Sequence, residues 1–179
     1  MEYPWYELIE NSDEITQGDI IKNCPVAIIE DCDIEIDKVI EAKISQVDGI
    51  ILTQACDLAN GKVKSVIICS VTSKKEFEEC LRKEQKTEKQ IKKAIEGIIK
   101  GQQHAYHIVN KYDSVGHSED YYIVNFKDIH SIPVELIKKV AKKDSKRLRL
   151  LPPYREHLSQ AFARYFMRVG LPININMND

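Results

Sequence analysis

The 179-residue sequence predicts a single α+β domain built on a small antiparallel, barrel-like β-sheet. Three observations support this fold class: short β-branched runs separated by turn residues, a Lys- and Glu-rich helical stretch in mid-chain, and an amphipathic helix near the C-terminus. The length suits one domain and is sufficient to bury a hydrophobic core. We therefore expect one domain over residues 1–179, with a helical insertion over 74–101 and a C-terminal helical part over 133–170.

Short apolar runs predict the strands of this sheet. The run over 20–29 contains Pro25, which indicates an edge strand or a bulge because proline donates no ladder hydrogen bond. The runs over 49–53 and 63–71 are almost continuously apolar, as is typical of strands covered on both faces. Further short strands are expected over 39–47, 105–109 and 121–126.

Two capping boxes mark helix starts in the insertion, Ser73 with Glu76 and Thr87 with Gln90. Lysine and glutamate are interspersed throughout 74–100, which favours a solvated helix surface over a nucleic-acid patch. The alternative is that these helices form the docking surface for a protein partner.

Composition excludes several classes of protein. The net charge is −2 and the pI is about 6.2, so binding of RNA or DNA would require a local basic patch. No apolar run is long enough to span a membrane, and we expect no membrane partner. The five cysteines form no CxxC motif and no signal-peptide pattern begins the chain, which predicts a cytoplasmic protein with reduced thiols. The Cys and His spacings match no metal site, and neither a metal nor a cofactor is expected.

A polar cluster, Gln54, Cys56 and Asp57, follows the predicted strand over 49–53. Rigid strand ends hold reactive groups well, so Cys56 is a candidate nucleophile and His107, on a later strand, is its candidate base. In the alternative interpretation Cys56 is a small core residue and Asp57 hydrogen-bonds the backbone of a turn.

The last predicted helix carries two stripes. One is apolar and is expected to face the core: Leu158, Ala161, Phe162, Tyr165, Phe166 and Val169. The other is polar and basic and is a candidate binding surface: His157, Gln160, Arg164 and Arg168.

Arg155 lies in the first turn of this helix, where the positive end of the helix dipole disfavours a cation. We expect a carboxylate such as Asp57 or Asp19, or a bound phosphate, to offset its charge.

The segment over 146–151 alternates basic and apolar residues, which predicts a strand with one basic face. Arg147 and Arg149 on this face, with Tyr154 just after it, are candidate contacts for an RNA backbone. This is the clearly basic region of a slightly acidic sequence.

Three stretches together resemble a family of bacterial proteins: Gln17-Gly18-Asp19-Ile20, Gln54-Ala55-Cys56-Asp57-Leu58, and the helix that begins Pro153-Tyr154-Arg155. This resemblance covers most of the chain and implies no catalytic residue.

Gly18-Asp19-Ile20 leading into a strand is also similar to the opening of MazF/PemK-type toxins, which are SH3-like barrels that cleave RNA without metal. Those toxins are shorter and carry Arg-Pro ahead of the second apolar strand, where this sequence has Val47-Asp48-Gly49. This resemblance therefore implies an SH3-like barrel more than a particular chemistry.

These observations lead to three functional hypotheses. The first is a bacterial protein of toxin or phage-defence type that acts on nucleic acid, as a metal-independent ribonuclease with Asp57, His107, Arg155 and His157 as its catalytic residues. The second is a non-catalytic adaptor subunit in which Asp57 and Arg155 form a structural ion pair. The third is a small hydrolase that depends on Cys56.

Overall fold

The computed structural model describes residues 3–12, 14–29 and 42–167, and it confirms the α+β class. Its strands are β1 (Tyr6–Glu10), β2 (Ile20–Ile28), β3 (Lys43–Ile51), β4 (Ser65–Ser73), β5 (Tyr106–Val109), β6 (Tyr112–Ser114), β7 (His117–Glu119), β8 (Tyr122–Pro133) and β9 (Lys146–Leu150). Its helices are α1 (Ala55–Ala59), α2 (Lys74–Lys83), α3 (Glu88–Ile99), α4 (Val134–Lys143) and α5 (Tyr154–Phe166).

A five-stranded antiparallel sheet in the order β2-β3-β4-β8-β5 forms the centre of the structure. β1 and β9 form a separate two-stranded antiparallel sheet, which meets the five-stranded sheet at a single bridge between Asp19 and Arg149. Two further backbone hydrogen bonds hold this junction: the Leu150 N–H donates to the Gly18 carbonyl at 2.9 Å, and the Gly18 N–H donates to the Ile51 carbonyl at 2.8 Å.

The predicted SH3-like barrel is not confirmed, because the described strands do not close. β1 and β5 are linked by a side chain, the Tyr6 hydroxyl donating to the Asn110 carbonyl at 2.6 Å, and no backbone ladder joins them within the described residues. Closure would require continuous strand pairing around the sheet. Beside β5, α5 and the end of α3 instead border an open cavity.

Both faces of the sheet are buried, as the continuous apolar runs predict. Ile20 and Ile50 belong to a core that β1, β9 and α5 cover. The next residues, Ile21 and Ile51, belong to a second core on the opposite face, which α4 covers with Ile137. Successive strand residues point to opposite faces, so each strand supplies both cores.

β2 is an edge strand of the five-stranded sheet and carries the bulge that Pro25 predicts. Its register with β3 shifts between Ile21 and Cys24. Within the shift, Asn23 has φ +55°, a left-handed conformation that asparagine tolerates, and its N–H donates to the Asp48 carboxylate at 2.9 Å.

The insertion forms two helices, α2 and α3, and both predicted capping boxes are present, Ser73 with Glu76 and Thr87 with Gln90. The apolar side of α3 is packed into the domain by three buried isoleucines: Ile91, Ile95 and Ile98. The charged side chains of these helices are largely exposed and partly paired with one another, as expected for a solvated surface.

A short hairpin, β6–β7, occupies the segment between the predicted strands over 105–109 and 121–126, where no strand is predicted. It is held by the edge-to-face contact of Tyr6 with Tyr112, whose ring centroids lie 6.1 Å apart, and by the Lys22–Glu119 ion pair at 2.6 Å. Its three-residue strands are too short to carry a periodic pattern.

Asp19 is fully buried and is neutralised by two arginines of β9. Arg147 Nε donates to one of its carboxylate oxygens at 3.1 Å, and Arg149 Nε donates to the other at 2.5 Å. Arg147 also donates to the carbonyl oxygens of Ser12, at 2.6 Å, and of Glu14. One carboxylate therefore joins β9 to the start of β2 and to the segment that precedes it.

This pairing corrects the sequence interpretation of β9. The strand forms as predicted, but Arg147 is 3% exposed and Arg149 is directed at Asp19. Both arginines bind the same buried carboxylate, so they are not the freely exposed contacts to an RNA backbone that the alternating pattern predicts.

We predict that Asp19→Asn lowers the free energy of unfolding by about 3–5 kcal/mol, because the buried Arg147 loses the anion that neutralises it. Urea unfolding measures the loss. The control is Glu10→Gln, which removes the exposed Lys146–Glu10 pair of the same strands and should cost less than about 1 kcal/mol. Equal effects of the two substitutions would contradict the role assigned to Asp19.

Candidate functional site

A cavity of about 840 Å³ lies between α5, β5, the end of α3 and the N-terminal segment. Volumes of this size are typical of sites for small molecules or for part of a larger ligand. Its walls combine apolar side chains, such as Ile98 and Val109, with aromatic and basic ones. It is the place where several of the predicted site residues meet.

The basic groups that line the cavity are two cations and three histidines: Lys74, Arg164, His104, His107 and His157. Among the described residues that line it there is neither an aspartate nor a glutamate. The protein as a whole carries a net charge of −2, so this separation of charge is local. The cavity is suited to an anion that has an apolar or planar part.

Helix α5 supplies one wall because its polar and apolar positions separate at helical spacing. Leu158 is fully buried and Phe162 packs against the core, whereas Tyr154, His157 and Arg164 face the cavity. The apolar stripe therefore meets the core at Leu158, Phe162 and Tyr165, whereas Phe166, which was also predicted to face the core, is 58% exposed, and Val169 lies outside the described residues.

Gln17 holds α5 against the sheet. Its buried amide nitrogen donates to the Leu52 carbonyl at 3.1 Å and to the Ser159 hydroxyl at 2.9 Å. The Ser159 hydroxyl in turn donates to the Arg155 carbonyl at 3.1 Å, within the same helix. These bonds set the first turns of α5, and hence the positions of the side chains that α5 directs into the cavity.

His107 lies on β5, opposite Val124 of β8, and its ring is 6.3 Å from that of Phe126. Burial, and to a smaller extent the nearby charge of His157, lower the pKa of His107 to about 4. At neutral pH His107 is therefore uncharged and has one ring nitrogen free to accept a proton.

Trp5 and Tyr154 form a stacked pair at one end of the cavity. Their ring centroids are 3.6 Å apart and the rings are inclined by 9°. Tyr154 also meets the His157 ring edge to face, with centroids 6.3 Å apart. The rings of Trp5, Tyr154 and His157 thus contact one another in a row beside the start of α5.

The two cations differ in their surroundings. Lys74 Nζ pairs with the Glu78 carboxylate at 2.6 Å, one turn further along α2. Arg164 has no carboxylate partner among the described residues. An unneutralised guanidinium at the wall of a cavity is well suited to bind a phosphate or carboxylate.

The structure thus brings together five of the predicted site residues: His107, Tyr154, His157, Gln160 and Arg164. Arg168 lies outside the described residues. Sequence reasoning did not assign Trp5, Lys74 or His104 to the site. Trp5 is the single tryptophan of the chain, which is the one signal that could have drawn attention to it.

The strand-end cluster does not contribute to the cavity. Gln54 precedes the short helix α1 at its N-cap position and Asp57 lies in its first turn. Neither lines the cavity, and Cys56 is exposed. Cys56 Sγ lies 3.8 Å from the Asp57 carboxylate, and no histidine contacts it. The predicted pairing of Cys56 or Asp57 with His107 is therefore not formed.

Arg155 does not pair with Asp57 either. Its guanidinium binds the neighbouring Glu156 carboxylate at 2.8 Å, and Asp57 forms no ion pair with any described residue. Asp19, the other predicted partner, is occupied by the arginines of β9. Glu156 lies in the same first turn of α5 and offsets the unfavourable position of the cation.

A second polar cluster has the residue types of a hydrolytic triad but not its geometry. His130 Nε2 lies 2.9 Å from the Asp128 carboxylate and 3.4 Å from the Ser70 hydroxyl. Both contacts use the same ring nitrogen, so the imidazole cannot accept a proton from serine while it donates to the aspartate. We assign this cluster a structural role at the irregular pairing of β4 with β8.

Within the described ranges, no group of three or more His, Cys, Asp or Glu side chains is arranged to hold a metal ion. In the same part of the chain, no helix combines the length and apolarity needed to cross a membrane. No family model and no curated protein matches the sequence. The function is therefore argued from the cavity itself.

We predict that the protein loses about 2 kcal/mol of stability between pH 7 and pH 5 through His107, because the unfolded chain binds this proton near pH 6.5 and the folded chain only near pH 4. Stability therefore falls as the pH drops through this window. Urea unfolding at both pH values measures the loss, which His107→Gln should reduce. His104→Gln, at an exposed histidine of the same cavity, is the control and should leave it unchanged.

Proposed function

We propose that this chain binds single-stranded RNA in the cavity and cleaves it with His107 and His157, as a ribonuclease of toxin or phage-defence type. The observation that carries the proposal is the pairing of two electrostatically coupled histidines with two cations in a cavity wall without carboxylates. Coupled titratable groups with separated proton affinities are a common feature of acid–base catalysis.

The chemistry is a transesterification. His107, neutral at pH 7, accepts the proton of a ribose 2′-hydroxyl as that oxygen attacks the adjacent phosphorus. The bond from phosphorus to the 5′ oxygen of the next nucleotide breaks, and protonated His157 donates its proton to that leaving oxygen. The products are a 2′,3′-cyclic phosphate and a 5′-hydroxyl end.

Arg164 and Lys74 act on the phosphate itself. Their positive charge offsets the negative charge that builds on the non-bridging oxygens in the transition state. A phosphate between the histidines also raises the proton affinity of His107, since an opposite charge favours the protonated form. The bound substrate thereby counteracts the effect of burial on the His107 pKa.

This assignment replaces two residues of the sequence hypothesis. Asp57 and Arg155 are absent from the cavity wall, and the roles given to them pass to the second histidine and to Arg164. A metal ion is not required by the roles described, because the histidines supply the proton transfers and the cations supply the charge stabilisation.

The two other hypotheses have less support. On the inserted helices the large exposed apolar side chain is Ile99, whereas Ile91, Ile95 and Ile98 are buried in the domain. A single exposed side chain is not the contiguous apolar patch that marks a protein interface. The Cys56 hydrolase lacks an activating histidine, as described above.

We predict that the purified protein cleaves labelled single-stranded RNA in the presence of EDTA and leaves duplex DNA uncut, since DNA lacks the 2′-hydroxyl. His107→Gln and His157→Gln should each lower the cleavage rate by roughly 10²–10⁴-fold, the contribution typical of a general acid or base. Gel electrophoresis of the products measures the rates, and a cyclic phosphate end identifies the chemistry.

The matched control is His130→Gln, which changes a histidine outside the cavity and should retain full activity. Arg164→Gln should lower both the rate and the affinity for RNA, the latter most strongly at low salt, where phosphate contacts contribute most. Cleavage that EDTA abolishes, or that His107→Gln and His157→Gln leave intact, would refute this mechanism. Absence of both cleavage and RNA binding at low salt would refute the function.

A further inference from the structure

We infer that the stacked Trp5–Tyr154 pair is a platform for an unpaired nucleobase, so that the cavity takes a nucleotide with its base on this pair and its phosphate at the histidines. The inference rests on the proposed function and adds to it the part of the RNA that is recognised. This platform requires a single-stranded substrate, because a base within a duplex has no free face that could stack on protein rings.

The platform is held in place before any ligand binds. The Trp5 carbonyl accepts a hydrogen bond from the Leu151 N–H at 2.9 Å, and the Tyr154 hydroxyl donates to the Tyr3 carbonyl at 3.2 Å. Both rings are half-buried and both line the cavity, so the pair retains exposed aromatic surface there. Fixed rings lose little conformational entropy when a base stacks on them.

The order of side chains along α5 sets where the phosphate lies. At 1.5 Å per residue, His157 is about 4.5 Å and Arg164 about 15 Å along the helix axis from Tyr154. A base on the Tyr154 end therefore leaves its own sugar and phosphate beside His157. Side chains on a helix lean towards its N-terminal end, so Arg164, whose charge no carboxylate of the described residues neutralises, can reach back towards the same phosphate.

A purely structural role is not needed to explain the Trp5–Tyr154 stack. Attachment of the N-terminal segment to α5 is already provided by the Leu151–Trp5 backbone bond and by the β1–β9 ladder. The cavity that these two rings line also has basic side chains and amide groups such as Gln160 in its wall. This composition is typical of a site that binds a nucleotide.

The test uses the single tryptophan of the chain as its probe. Trp5 fluorescence is titrated with a single-stranded 2′-O-methyl adenylate decamer, which cannot be cleaved, and with an abasic decamer of the same charge. The adenylate should quench Trp5 and bind roughly 5- to 150-fold more tightly than the abasic strand, the factor expected for one stacked base. The abasic strand should leave the fluorescence unchanged.

Two variants separate stacking from folding. Tyr154→Ala should remove most of the preference for adenylate over the abasic strand, and Tyr154→Phe, which keeps the ring and loses the hydroxyl bond to Tyr3, should retain it. The comparison of the two ligands on the unsubstituted protein needs no variant, so it stands even if Tyr154→Ala does not fold.

The outcomes distinguish this inference from the proposed function. Equal affinity for the two decamers without quenching of Trp5, in a protein that still cleaves RNA, overturns the platform and leaves the ribonuclease in place. Failure to bind either decamer at low salt overturns both. Tighter binding of adenylate with quenching that Tyr154→Ala abolishes supports the platform.

Discussion

The buried Asp19 carboxylate is the interaction on which the rest of the structure depends. It lies where the last strand, β9, meets the beginning of β2, and it forms ion pairs with both Arg147 and Arg149. A buried charge is tolerated when it is paired and its remaining hydrogen-bonding sites are met. Here the remaining donors of Arg147 reach the carbonyls of the segment before Asp19. Strands that are far apart in sequence are thereby fixed side by side, and α5 starts a few residues beyond β9.

Gln17 and Gly18 complete this constraint. Gly18 has φ +87°, and a Cβ atom there would lie 3.0 Å from the Leu150 carbonyl oxygen, so a side chain would separate β9 from β2. Gln17 then ties α5 to the sheet through Ser159. The Gln17-Gly18-Asp19 stretch therefore has a structural role in this chain. Its presence explains the placement of α5 and does not by itself indicate a reaction.

Local patterns predicted local structure well. The strands covered on both faces, the capping boxes at Ser73 and Thr87, and the polar stripe of α5 follow from periodicity and from short-range hydrogen bonds. Sequence alone does not show whether the basic side chains of β9 face solvent or the protein interior. The alternation of basic and apolar residues is the same whether Arg147 is exposed or is paired with a buried carboxylate. Trp5 and Lys74 were missed as site residues for a related reason, since each reaches the cavity only through contacts between distant segments. The sequence predicts Asp57 in the site because functional side chains often converge at strand ends, whereas here Asp57 lies in a short helix that follows the strand.

The distribution of charge explains why the cavity favours an anion in a protein that is slightly acidic overall. Carboxylates elsewhere in the fold are engaged with their own cations, as Asp19 is with β9 and Glu156 is with Arg155. None of the described residues that line the cavity adds another, so the histidines and Arg164 are unopposed there. Burial keeps His107 neutral without a ligand, and an entering phosphate raises its proton affinity. In the proposed mechanism His107 would therefore become a better base when the phosphate binds, which would couple recognition of the anion to the proton transfer.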